Sequence, residues 1–192
     1  MKKQILALVP MVCLFASGIE ATPIIYVTNL SGLNENPPVA TPGFGLATVI
    51  FDIDAHTMEV TASFQDLIGT TTQAHIHCCA DPPINVGVAT QLPSFTSFPL
   101  GVTFGVYSHM FDTSLASTWN NSFIVSSGGT VAQAEARLAQ GLADGQAYFN
   151  VHTNFRPGGE IRGILAVPEP GTIGLILLGL GTLVAARRKR RA

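Results

Sequence analysis

Apolar residues that return at every second position constrain this chain more than any other feature of its 192 residues. In Gln73-Ala74-His75-Ile76-His77-Cys78, Ala74 and Ile76 fall on one side of an extended segment and His75 and His77 on the other. Tyr148-Phe149-Asn150-Val151-His152 repeats the pattern, with His152 opposite Phe149 and Val151. Glu160-Ile161-Arg162-Gly163-Ile164-Leu165 turns Ile161 inward and presents Glu160 and Arg162. Further strands are expected over 24–30, 43–53, 58–64 and 102–111, separated by turn-forming stretches such as Asn34-Glu35-Asn36-Pro37-Pro38 and Asp54-Ala55-His56-Thr57. Pro82, Pro83, Pro93 and Pro99 exclude a regular element between residues 81 and 101. One alanine-rich helix is expected over 130–140, with Val131, Ala134 and Leu138 on one stripe and Gly141 as its stop. A shorter one around Trp119 would start with Asp112 as its N-cap. The pattern predicts a mainly β fold, an antiparallel Greek-key-like β-sandwich with one or two short inserted helices.

Both ends read differently from the middle. Met1-Lys2-Lys3 precedes an apolar run over 4–16 and then small residues, the make-up of a secretory signal peptide over residues 1–21, cleaved after Gly18 or Ala21. At the other end, Pro168-Glu169-Pro170 introduces an apolar run over 172–186 and the cluster Arg187-Arg188-Lys189-Arg190-Arg191. That run is short beside the usual span of about 17–25 residues. It predicts a C-terminal membrane helix with the basic tail cytoplasmic and the domain outside. The chain thus divides into a signal helix, a domain over 22–167 and a terminal segment over 168–192. Within the domain, three arginines and no lysine face ten carboxylates, a net charge near −7. So acidic a surface excludes nucleic-acid binding, which needs cations to displace phosphate counterions.

Chemistry concentrates on the histidines. Imidazoles suit zinc, copper, iron and nickel, and three of them leave a coordination position open. His75, His77 and His152 are therefore candidate ligands for a copper or zinc ion, with Arg162, Glu160 and Asn150 around them. A plainer alternative has His75 and His77 hydrogen-bonded to Glu160 or Asn150 on a polar sheet face. Arg162 would then pair with Glu160 or with an acid on a neighbouring strand. After export Cys78 and Cys79 are the remaining cysteines, and an oxidising compartment offers a vicinal disulfide, an intermolecular bridge or metal ligation. The vicinal disulfide is the favoured outcome, because exported thiols do not stay reduced. A nucleophile elbow, a phosphate-cradling glycine loop and a Cys-x-x-Cys motif are all missing, so no enzymatic activity is expected.

Three ordered motifs resemble the CHRD domain, first described in chordin: residues 30–38, Ala74-His75-Ile76-His77, and the pair Tyr148-Phe149-Asn150-Val151-His152-Thr153 and Pro157-Gly158-Gly159-Glu160-Ile161-Arg162-Gly163. The resemblance spans about Tyr26 to Ala166 and implies an extracellular or cell-surface protein. The C-terminal order of Pro-Glu-Pro, short apolar run and arginines resembles the PEP-CTERM sorting signal. That implies an exosortase-type processing enzyme as partner, an inner-membrane intermediate, and delivery to the cell surface or extracellular matrix, often beside exopolysaccharide. The His-x-His strand, later histidine and C-terminal arginine are also similar to the copper side of copper–zinc superoxide dismutases. The chain departs from those enzymes in having no later histidine cluster for a bridging ligand and a zinc site. The expected protein is a non-catalytic structural or binding module that associates with polysaccharide or surface proteins. The alternative is a metal-binding domain on the three histidines.

Overall fold

A computed structural model describes residues 22–168. The expected signal and membrane helices, and Glu169 and Pro170, lie outside the described residues. Seven strands follow one another: β1 (Ile24–Ser31), β2 (Phe44–Asp52), β3 (Thr57–Gln65), β4 (Thr71–Cys78), β5 (Gly105–Asp112), β6 (Ala147–Thr153) and β7 (Ile161–Ile164). All their pairings are antiparallel, in the order β4-β6-β7-β1-β2-β3-β5. The mainly β antiparallel architecture expected from the alternation is present, formed by one continuous sheet that curls upon itself. Two observations show the curl. Thr71, at the start of β4, exchanges backbone hydrogen bonds of 2.8 Å with Val102 and Gly101, just ahead of β5 at the opposite end of the strand order. Phe95 stacks on Phe149 of β6 at 5.8 Å and meets Phe111 of β5 at 5.4 Å, so the two halves share one core.

Alternation decides which face enters that core. Tyr26, Val49, Val60, Ile76, Phe149 and Ile161 are buried there, while β5 turns Val106, Ser108 and Met110 outward. Such alternation suits a sheet with one face against a core. The helix α1 (Asn121–Ser126) and the helix α2 (Val131–Ala143) fill the connection between β5 and β6. Asp112 does not cap a helix. Its Oδ1 accepts from the Ser114 backbone and closes a turn, whereas Asn120 caps α1 by accepting from Ser122 N at 3.0 Å. Gly141 does not stop α2, which runs two residues further, to Ala143. Among the described residues no helix is long and apolar enough to cross a membrane.

The strand order leaves β4 at an edge, a free template for another strand unless something covers it. The irregular segment after β4 does so. Ala89 N and Phe95 N donate to the carbonyls of Ile76 and Ala74, and the hydroxyls of Thr90 and Ser94 accept from Ile76 N and Ala74 N. The prolines that rule out a strand here leave side-chain hydroxyls to complete the pairing.

Candidate metal centre

Cross-strand register places the site residues in rows on the face of β4, β6 and β7 turned away from the core. His75 pairs with Asn150, which pairs with Arg162; His77 pairs with Tyr148; Gln73 pairs with His152. That face is not open to solvent. Loops roof it, and the three histidines are exposed by only 0%, 7% and 6% for His75, His77 and His152. Each ring gives one nitrogen to a roof carbonyl: His75 Nε2 to Pro93 O at 2.8 Å, His77 Nδ1 to Val86 O at 2.8 Å, and His152 Nδ1 to Pro157 O at 2.9 Å.

A carbonyl oxygen only accepts, so the nitrogen facing it carries the proton, which fixes all three tautomers. The remaining nitrogens, His75 Nδ1, His77 Nε2 and His152 Nε2, keep their lone pairs. Those of His77 and His152 face each other at 3.3 Å, and His75 Nδ1 is buried with no hydrogen-bond partner. The three residues form a group whose ligand atoms lie within 4.8 Å of one another, spaced to hold a metal ion. Burial drives the His75 and His77 pKa down to about 4 and about 3, and lowers that of His152. The imidazoles are therefore neutral at physiological pH, the form that binds metal. Two lone pairs face to face in a dry site repel unless a cation lies between them. Nitrogens bound tetrahedrally to one zinc at about 2.0–2.1 Å stand about 3.3 Å apart, the spacing of His77 and His152. Backbone carbonyls holding the distal N–H groups are the usual outer support of metal-bound histidine.

The flanking residues occupy other places than the sequence suggested. Glu160 reaches no histidine. Its carboxylate accepts from Thr41 Oγ1, Thr153 Oγ1, Ile68 N and Gly69 N at 2.6–3.1 Å. Burial alone would raise its pKa, but these four hydrogen bonds outweigh that and lower it. Nor does Arg162 pair with Glu160. It sits 2% exposed, 3.7 Å from the Glu35 carboxylate, donating to Asn34 O, Asn85 Oδ1 and Pro83 O. Its guanidinium lies 4.7 Å above the Tyr148 ring, whose other neighbour in the stack is His77 at 4.8 Å and 6°. Tyr148 thus links Arg162 to His77 in one stack. Asn150, though the cross-strand partner of His75, hydrogen-bonds to no imidazole; it donates to Gly158 O at 3.4 Å, beside the Pro157 carbonyl that holds His152.

Cys78 and Cys79 form a disulfide, and neither sulfur joins the imidazole group. Cys78 shares the core side of β4 with Ala74 and Ile76, against α2. Ligation by these sulfurs is thereby excluded: both are spent on the disulfide, and one residue of register puts Cys78 on the opposite face from His77.

Sequence reasoning missed Tyr148 and Glu35. Tyr148 was discernible, since it shares its parity with Asn150 and His152. Glu35 was not, because an acid beside two prolines carries no sign of burial.

A family model of the CHRD domain matches residues 26–165. The chain belongs to the CHRD-domain family. A PEP-CTERM protein-sorting motif matches residues 166–191, and Pro168-Glu169-Pro170 falls inside it. Comparison with curated proteins and with solved structures gave no match. A CHRD domain ahead of this motif marks an exported protein sorted to the surface, and exosortase is the enzyme that recognises the signal.

Proposed function

We propose that this CHRD-domain protein is a surface-delivered, non-catalytic module that holds one copper or zinc ion on His75, His77 and His152. The observation that carries the proposal is the convergence of three neutral lone pairs, each directed by a backbone carbonyl on the opposite ring nitrogen. A bound ion would supply a cross-link between β4 and β6. The chain supplies the rest: Val86, Pro93 and Pro157 orient the rings, and the roof keeps water from competing. Rings so thoroughly buried favour a structural or storage site over one that turns over substrate. At the surface, the lysine-free acidic exterior would serve association with exopolysaccharide or surface proteins.

Metal content of the purified full-length chain in detergent is the test. The parent is expected to carry about one ion per chain, and His75→Ala, His77→Ala or His152→Ala to leave close to none, since three donors leave no spare ligand. Unchanged metal content in all three variants would sink the proposal. A separate expectation concerns the address. Deleting Pro168-Glu169-Pro170 should strand the protein in the inner membrane, as read by fractionation, and normal surface delivery of the deletion would overturn that assignment.

A further inference from the structure

We infer, building on the three-histidine site proposed above, that it selects a cuprous ion in trigonal three-nitrogen coordination over divalent zinc. Three features of the site lead there. Among the described residues the group consists of three histidines with no carboxylate or thiolate member. The acid nearest in sequence to a ligand or its partners, Glu160, spends both oxygens on Thr41, Thr153, Ile68 and Gly69. The other nearby acid, Glu35, faces Arg162, and burial raises its pKa to about 7. The donor set therefore brings no negative charge of its own.

The surroundings add charge of the wrong sign for a dication. Arg162 stands over Tyr148, and Tyr148 stands over His77, so the fixed charge closest to the ring stack is positive. The desolvation cost of an ion grows with the square of its charge, so a buried dication costs roughly four times as much as a monocation of the same size. Nothing in the donor set offsets that difference.

Coordination number points the same way. Structural zinc takes four ligands, and catalytic three-histidine zinc completes its tetrahedron with water. Here the rings are sealed under the carbonyls of Val86, Pro93 and Pro157, with at most 7% exposure. A closed-shell cuprous ion is content with three nitrogens in a plane. At bond lengths near 2.0 Å that plane asks for nitrogens about 3.5 Å apart; the 3.3 Å between His77 and His152 suits tetrahedral zinc as well, so the three-donor count among the described residues, and not that distance, separates the two ions. The disulfide removes Cys78 and Cys79 as thiolate donors, so cuprous binding here rests on imidazole alone.

The test uses the full-length chain in detergent with Cys13→Ser, which removes the thiol outside the disulfide. The chain is equilibrated without oxygen against equimolar Zn(II) and Cu(I), the latter supplied as its bicinchoninate complex. The expected result is one copper per chain, zinc at about a tenth of that occupancy or less, and an X-ray absorption spectrum with three nitrogen donors. His77→Gln and His152→Gln, which keep side-chain bulk, should each abolish copper retention while circular dichroism stays unchanged. Should either variant misfold, the spectrum of the unaltered site decides. Zinc held as well as copper, or copper with any other donor count, overturns the cuprous assignment and leaves the histidine site standing. Retention of neither metal removes both.

Discussion

Gly141 lies inside α2, a position where glycine costs about 1 kcal/mol against alanine in an exposed helix. The neighbouring disulfide accounts for it. A Cβ at 141 would collide with Cys78 Sγ and stand 2.7 Å from Cys79 Sγ, so the helix approaches this closely only without a side chain. Gly141→Ala should therefore destabilise the domain by about 1–3 kcal/mol despite its better helix propensity. Urea unfolding of the variant beside the parent measures this, and a stabilised variant would mean that the sulfurs yield freely. Gly159 answers a different demand: at φ +130° it passes against the Asn150 amide and Glu35 Oε1, in a conformation that side-chain-bearing residues rarely adopt.

Elements in this fold are joined by buried carboxylates as well as by apolar contact. Glu135 projects from α2 and is 4% exposed; its carboxylate accepts from Thr113 Oγ1, after β5, and pairs with His56 Nδ1 at 2.9 Å, in the β2–β3 turn. One side chain thus ties the helix to two separate strand ends. The two ties are unequal. Ion pairs with a solvent-exposed partner such as His56 add little, whereas a hydrogen bond to a charged acceptor inside a buried contact contributes about 1.5–3 kcal/mol. The Thr113 contact is the buried one. Glu135→Ala should accordingly lower the unfolding free energy by about 2 kcal/mol, read by thermal or urea denaturation, with α2 losing amide protection before the sheet. Loss of protection throughout the sheet at the same time would show that α2 and the strands unfold as one unit.

Across the whole molecule, groups with opposed pKa shifts make stability depend on pH in two directions. Burial raises Glu35 to about 7, and His56 is raised mainly by its hydrogen bond to Glu135. Both contributions are present at lower pH. That of Glu35 is lost as pH climbs from its ordinary 4.5 to about 7, and that of His56 is lost as pH climbs above 6.5. The three buried imidazoles act oppositely. Their contribution is present above 6.5 and is lost as pH falls toward the lowered values, about 4 for His75 and about 3 for His77. Three imidazoles outweigh one carboxyl on the acid side, so the metal-free chain should be most stable near pH 6.5, weakening steeply below and gently above. Urea unfolding at about pH 5, 6.5 and 8 checks this, and stability that keeps rising to pH 8 would contradict it.

Much of this was determined by the sequence alone: the strand-rich class, the parity that puts His75 and His77 on one face, the family motifs and the sorting address. Alternation is a local property, so it survives without knowledge of neighbours. Only the tertiary structure decided that this polar face lies under a roof, that β6 brings His152 beside β4, and that Arg162 answers Glu35 instead of Glu160. Those outcomes depend on register between distant strands and on the path of loops whose backbone carbonyls carry no side-chain signature. Val86, Pro93 and Pro157 aim the three imidazoles, and they do so with atoms that every residue possesses.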